Sequence, residues 1–320
     1  MAGDEWYKDV VFYQIWPRSF ADGNGDGIGD LYGVYEKLNY VKSLGVGGIW
    51  FSPLYVSPNA DFGYDIADYR RISPDYGDEK IFRRVLDRAH ELGLKVIMDL
   101  VINHTSIEHE WFRKGIDPAS PYHDYYIWRD PAPDGGVSNN WQSMFGGPAW
   151  TYNEENGQYY LHLFSAGQPD LNMDNPRVRD EVKDVMRYWL DMGVDGFRED
   201  VITLISKAEG LPNDRGPLSL PKGRQYYDCG PHLADYLGEF RHDVLAQHDC
   251  FVVGEAPFVD VEKARMLTQG PRESRLLDMV FSFEHMEADC LFTEYIPLPF
   301  SPRRLMRALS RWQDGLHGVG

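Results

Sequence analysis

Cysteine is scarce in this chain of 320 residues. The three present, Cys229, Cys250 and Cys290, are odd in number, widely separated and in no metal-ligand spacing. They argue against a disulfide framework or a cysteine-based metal site, and read as ordinary thiols of a reducing compartment, by default the cytoplasm. Positive charge is also short: 32 Lys and Arg stand against 50 Asp and Glu, a formal charge of −18. That balance speaks against nucleic acid as a partner, because phosphate binding needs surplus cations, and it disfavours an anionic membrane surface. No apolar run approaches the ~20 residues of a spanning helix. The N-terminal stretch has no cationic region followed by an apolar one, so no signal peptide is expected. Low-complexity segments, fixed-period repeats and Pro/Ser linkers are absent from the sequence.

What the chain has is a large apolar fraction, 43%, and many rings: 20 Tyr, 9 Trp and 16 Phe. Such content fills a core, and beside an excess of carboxylates it also suits sugar recognition. Apolar, β-rich runs recur around residues 10–16, 46–51, 94–101, 194–198, 250–253 and 279–283. Helical periodicity lies between or after them. Ile81, Val85, Leu86, Ala89 and Leu92 share one face; Val178, Val182, Val185, Met186 and Trp189 share another; Leu233, Leu237, Phe240, Val244 and Leu245 share a third. Strands alternating with helices predict a parallel sheet, either doubly wound or closed into a barrel.

Strand ends decide between the two. Three runs finish on acids, at Asp99, at Glu199 and Asp200, and at Glu255. In a (β/α) barrel the C-terminal strand ends converge on one mouth, where active sites are built. The fold expected is therefore a (β/α)8 barrel of TIM type, incomplete, with about six βα units. Residues 104–175 break the alternation with Pro, Gly, Asn and aromatics, and include the strand-like stretch 158–163. A run that long needs structure of its own. It predicts a small inserted domain after the third strand, dividing the barrel into residues 1–103 and 176–320.

Four motifs carry a family likeness: Asp99-Leu-Val-Ile-Asn103-His104, Gly196-Phe-Arg198-Glu-Asp200-Val201, Val253-Gly-Glu255-Ala256 and, in the insertion, Gln168-Pro-Asp-Leu-Asn172. With Tyr13 to Phe20 and Gly63 to Ile66, they run through nearly the whole sequence. The chain resembles the α-amylase superfamily, glycoside hydrolase family 13, and within it the oligo-1,6-glucosidase group. The resemblance implies that Asp200 is the nucleophile, Glu255 the general acid/base and Arg198 the group keeping the nucleophile ionised. It places Tyr64, Asp65, Asp99 and His104 around the glucose that is cleaved off. Arg198 and Asp200, two apart on a strand, face one side, and a guanidinium lowers a neighbouring carboxyl's pKa. Glu255 follows an apolar run that would raise its own. The expectation is a retaining α-glucosidase of short α-glucosides, with carboxyls ~5–5.5 Å apart. Val201, after the nucleophile, implies preference for α-1,6 linkages of the isomaltose type. Trehalose-6-phosphate hydrolase is the alternative, with Lys207 or Arg215 in a phosphate pocket. Glu199 departs from the family, where an apolar side chain commonly stands; it should face the helix layer and need a partner.

A second site is Asp22-Gly-Asn24-Gly-Asp26-Gly27-Ile28-Gly-Asp30. Alternate oxygen donors with glycine at the sixth position, and the Ile28 carbonyl, match the first half of an EF-hand loop, so structural calcium is expected. The twelfth position, Gly33, lacks the bidentate glutamate. No organic cofactor is implied. The family's Asn-His-Asp motif, whose aspartate supports the transition state, does not occur in the sequence. Neither do candidates for the last two barrel strands or the C-terminal β domain. The chain alone is therefore expected to be inactive, the rest of the same enzyme being its missing partner. The other reading is a truncated, non-catalytic sugar-binding relative.

Overall fold

The computed structural model describes residues 5–216, 220–291 and 293–318. Its centre is a six-stranded sheet in the order β1 (Phe12–Ile15), β2 (Gly48–Phe51), β3 (Lys95–Leu100), β4 (Gly196–Glu199), β5 (Phe251–Glu255) and β6 (Met279–Phe281). All neighbouring pairs are parallel. Spatial order equals chain order, as successive right-handed crossovers require. β1 and β6 are not hydrogen-bonded to each other, so the sheet is a curled, open part of a barrel, as expected.

Helices follow the strands where the periodicity places them: α1 (Leu31–Ser43), α2 (Glu79–Glu91), α3 (Pro176–Met192), α4 (Leu233–Asp243), α5 (Val261–Thr268) and α6 (Pro302–Leu316). Val178, Val182, Val185, Met186 and Trp189 of α3 are all inside, whereas α6 buries only Ala308 and Trp312. Starts and stops are local chemistry. Asp78 accepts from the Lys80 and Ile81 amides at the head of α2, and Asn175 with Pro176 opens α3. Gly193, at φ 108°, closes α3 in the left-handed conformation that glycine favours.

The inner face of the sheet is packed with rings. Tyr7 stacks on Phe251 at 4.6 Å, Phe12 on Phe251 at 5.6 Å, and Trp50 meets Phe281 at 5.7 Å. This aromatic floor closes the inside below the strand ends and leaves the C-terminal ends open for chemistry. Strand approach at one point demands glycine: a Cβ on Gly196 would lie 1.8 Å from the Phe251 carbonyl oxygen.

Between β3 and α3 stands the inserted unit, with an antiparallel sheet of Trp128–Arg129, Gln158–Leu161 and Trp150–Asn153. Its apolar cluster gathers Trp141, Trp150, Leu161 and Leu163. It also takes in Val201, Leu204, Leu211 and Tyr227 from the connection after β4. The β4–α4 connection thus packs on both units, with Ile202 and Ile205 in the main core and Leu204 and Leu211 against the insertion.

Candidate active site

Parity along the strands brings the acids together. In the β3–β4 register Asp99 lies opposite Arg198, and in the β4–β5 register Arg198 lies opposite Val253. Asp200 and Glu255 follow two residues later, so all four polar side chains share the inner face at the strand ends. Arg198 is their hub. Its Nη1 donates to Asp99 Oδ1 at 2.7 Å and to Asp200 Oδ1 at 2.5 Å, and Nη2 lies 2.6 Å from Glu255 Oε2. The guanidinium sits over the rings of Trp50 and Tyr64, at 5.4 and 5.8 Å. Trp50 Nε1 and Tyr64 OH donate to the other Asp99 oxygen, at 3.3 and 3.2 Å.

Val201 completes the turn after Asp200. Its φ of 38° is left-handed, unusual for a β-branched residue. In that conformation its N–H donates to Glu255 Oε2 at 3.1 Å. The local strain thus ties the β4 turn to the acid on β5.

One cation among three buried carboxylates sets the protonation. Burial is the largest influence on Asp99 and on Asp200, and it raises both despite Arg198. The pairwise expectation, that Arg198 leaves Asp200 with a lowered pKa, is therefore corrected. The guanidinium does pull in that direction, but desolvation and the nearby Asp99 charge outweigh it. Glu255 is pushed up to about 7, first by burial and then by the Asp200 charge, against Arg198. Asp200 and Glu255 both bind the one guanidinium, and the charge of each disfavours ionisation of the other, so one proton serves the pair. The proton belongs with Glu255, which the Asp200 charge raises further.

His104 is fully buried, and burial lowers its pKa, so the ring is neutral. Lys207 Nζ donates to Asn103 Oδ1 at 2.9 Å, which turns the Asn103 amide nitrogen toward His104 Nδ1 at 3.2 Å. Nδ1 is then the acceptor, and Nε2 carries the hydrogen toward the Tyr64 carbonyl at 3.1 Å. Gln168, first residue of the insertion's signature, donates to Asp61 Oδ2 at 2.8 Å beside it. These bonds fasten the insertion to the barrel rim.

Asp65 and Lys207 are engaged by other groups of the protein. Asp65 is buried, but its oxygens accept from Ser57 Oγ and the amides of Ala60 and Asp61, at 2.7, 2.9 and 3.2 Å. It shapes the turn that presents Tyr64 and makes no bond to the Arg198 cluster. Lys207 is no phosphate-pocket residue: it is buried, bonded to Asn103 and ion-paired with Asp170 at 2.8 Å. Arg215 is exposed on a loop. Glu199 faces outward, as its parity requires, and is buried with Oε2 lacking a hydrogen-bond partner. Burial raises it to about 8, with Arg241 opposing. Trp50 is a site residue that sequence reasoning missed, and the bonds of Lys207 to Asn103 and Asp170 were not foreseen. Trp50 had a signal, since it sits one residue from a strand end, in register with Ile97 on the inner face.

In the Asp22–Asp30 loop, Asp22 accepts from the Gly25 and Gly27 amides at 2.6 and 2.8 Å, and Asn24 Oδ1 from the Asp26 amide at 2.9 Å. Asp26 Oδ1 accepts from the Ile28 amide at 2.8 Å. Asp30 accepts from the amides of Gly23, Asn24 and Gly33, the last as the N-cap of α1. Among the described residues no three His, Cys, Asp or Glu side chains are gathered as a metal centre. The loop fits calcium by donor type, all oxygen, and both Asp22 oxygens keep a second lone pair beyond their amide bonds, whereas Asp30 Oδ1 already accepts two amides.

Residues 14–320 match the family described as the alpha-amylase catalytic domain. An oligo-1,6-glucosidase of Heyndrickxia coagulans is 49% identical over 99% of this chain and 58% of its own length. The solved trehalose-6-phosphate hydrolase of Bacillus licheniformis superposes with a TM-score of 0.92 at 42% identity, covering 97% of this chain and 55% of that one. The trehalulose synthase of Pseudomonas mesoacidophila does so with a TM-score of 0.94 at 39% identity, covering 99% and 57%. The chain thus spans little more than half the length of these relatives. No helix among the described residues is long and apolar enough to cross a membrane.

Proposed function

Because the chain belongs to the alpha-amylase catalytic-domain family, we propose that it carries the glucose-holding and bond-cleaving half of a retaining α-glucosidase acting on short α-glucosides. Asp200 attacks the anomeric carbon, and Glu255 gives its proton to the departing glycosidic oxygen. Glu255 then takes a proton from the water that releases glucose from Asp200. The observation that carries this reading is the single guanidinium of Arg198 bound to both carboxyls, with burial and the Asp200 charge lifting Glu255 to about 7. A nucleophile and an acid drawn from one carboxylate pair need that asymmetry. Asp99, Tyr64 and Trp50 hold Arg198 in place, and His104 stands neutral at the rim beside Tyr64. Val201 supports α-1,6 linkages, and the engagement of Lys207 with Asp170 and Asn103 counts against a phosphorylated substrate.

The open sheet and the lack of an Asn-His-Asp motif support a need for the remaining barrel segment, since loss of one preorganised group costs several kcal/mol of transition-state stabilisation. Alone, the chain should turn over a chromogenic α-glucoside at no more than background. Co-expressed with the remaining segment of the Heyndrickxia coagulans relative, it should hydrolyse isomaltose faster than maltose, and a fluoroglucoside should label Asp200. Labelling at Glu199, or faster cleavage of maltose, overturns the respective assignment.

The Asp22–Asp30 loop is proposed to take a structural calcium ion through Asp22, Asn24, Asp26, Asp30 and the Ile28 carbonyl. An unchanged melting temperature on chelation removes this proposal. A cytoplasmic setting is supported by Cys229 and Cys250, which form no disulfide.

A further inference from the structure

A cavity of about 400 Å³ lies where the inserted unit meets the connection after β4, and none of Asp99, Arg198, Asp200 or Glu255 lines it. Its walls are the edge strand Trp128–Arg129 with the residues before it, residues 207–211 of the connection, and the stretch leading into α3. The His123 ring stacks on Trp128 with centroids 5.2 Å apart and planes within 9°, so two flat rings stiffen one wall. The volume falls in the ~300–1,000 Å³ range of small-molecule sites.

Several polar groups of the lining are unengaged. Gln158 Nε2 donates to Asp130 Oδ1 at 2.9 Å, which fixes the amide and leaves Oε1 buried with no hydrogen-bond partner. A buried carbonyl oxygen without a donor is costly, and a ligand hydroxyl would supply one. His123 Nδ1 lies 2.7 Å from the Gly115 carbonyl, so it carries the hydrogen and Nε2 is an acceptor. The Arg129 guanidinium bonds through Nη1 to the neighbouring Trp128 carbonyl at 2.7 Å and has no ion pair among the described residues. Lys207 commits its ammonium to Asn103 and Asp170, so it lends the cavity no free charge. Against the one guanidinium stand three acids, Asp124, Asp174 and Glu209, of which Asp174 accepts from Tyr236 OH.

We propose that this cavity is a second, non-catalytic site that takes a neutral, hydroxyl-rich ligand, a single hexose unit such as glucose. A hydroxyl both donates and accepts, so one such ligand answers the Gln158 oxygen, the Arg129 guanidinium and a carboxylate of the lining together. An inorganic anion would meet Arg129 but be opposed by three carboxylates, and a metal cation would be opposed by Arg129. Neither Asp200 nor Glu255 takes part, so the site stands whether or not the chain cleaves glucosides.

Titration of the isotope-labelled full chain with glucose, followed in amide NMR spectra, reads both sites at once. The backbone amides of Arg129, Gln158 and Gly210 report the cavity, and the Val201 amide, bonded to Glu255, reports the Arg198 cluster. The three cavity amides should shift together along one saturable curve. Gln158→Ala and Arg129→Gln should each weaken that curve about tenfold, the worth of one good hydrogen bond, and leave the response at Val201 unchanged. Arg129 is exposed and Gln158 half-buried, so neither substitution reaches the core. Sodium phosphate should shift the cavity amides less than glucose does at equal concentration. The proposal is overturned if glucose leaves the cavity amides unmoved, if phosphate shifts them more than glucose, or if either variant leaves their curve unchanged. A Val201 amide that does not respond to glucose counts against the glucosidase reading alone, because the cavity amides give their own answer.

Discussion

Glu199→Gln isolates one buried proton. Glu199 leaves β4 on the face opposite Arg198, with no partner on Oε2, and its pKa rises from 4.5 to about 8 through burial. Arg241 opposes the rise, and its own Nη1 and Nη2 lack hydrogen bonds, while Asp278 reinforces it. A carboxyl whose folded value lies above its unfolded value binds more protons when folded. Its contribution to stability is therefore complete below pH 4.5 and is lost as pH climbs through about 8. At ~1.4 kcal/mol per pH unit, the window from 4.5 to about 8 corresponds to at most ~5 kcal/mol, less whatever relaxation Arg241 provides. Glutamine keeps the shape and removes the titration. Urea unfolding of both proteins at steps from pH 5 to 9 measures the difference. Asp99, Asp200 and Glu255 are raised in the same direction, but they are common to both proteins and cancel. The variant should lose stability less steeply between pH 5 and 8 and be the more stable protein at pH 8.5. Parallel curves, or a variant that weakens further as pH rises, would mean that Glu199 is ionised and held by Arg241, and the reasoning fails.

Lys207→Met leaves Asp170 buried without its cation and Asn103 without its anchor, and should cost about 3–5 kcal/mol in the same unfolding assay. Gly196→Ala drives a methyl group to 1.8 Å from the Phe251 carbonyl at a φ of 147°. It should destabilise by more than ~3 kcal/mol, whereas Gly135→Ala, also at positive φ but in open space, should cost only ~1 kcal/mol. Equal losses at the two glycines would show that strand approach at Gly196 is not the constraint.

The strand ends were legible because an acid closing an apolar run is conspicuous, and period-two parity then puts Asp99, Arg198, Asp200 and Glu255 on one face without any coordinates. Helix faces were legible for the equivalent reason. Lys207 was not: a lone lysine in the long connection after β4 carries no signal that it will be buried against Asp170, which lies in a different unit of the chain. Asp65's bonds were not legible either, because a motif fixes a residue's position but not which amides its oxygens meet. The Asp200 protonation went wrong in a more general way. A pair of neighbours on a strand reveals the favourable charge, but not the water removed when three such acids are folded over one cation.

That last point bears on what an open sheet can do. Every bond that organises the Arg198 cluster comes from β2, β3, β4, β5 and the turn at Tyr64. These strands are hydrogen-bonded to one another in sequence, with no contribution required from across the gap between β6 and β1. The donor half of the site is therefore preformed before the barrel closes. Closure would add charge support and exclude water; it would not need to assemble the nucleophile and the acid. On the proposed reading, sugar binding and bond cleavage would be separable, the first resting on four contiguous strands and the second on the whole barrel. On the proposed function, a chain that holds glucose through Asp200 and Arg198 yet releases no product from an α-glucoside is the expected outcome of a binding assay run beside a turnover assay. A chain that cleaves without completion would place the transition-state support within the open sheet itself.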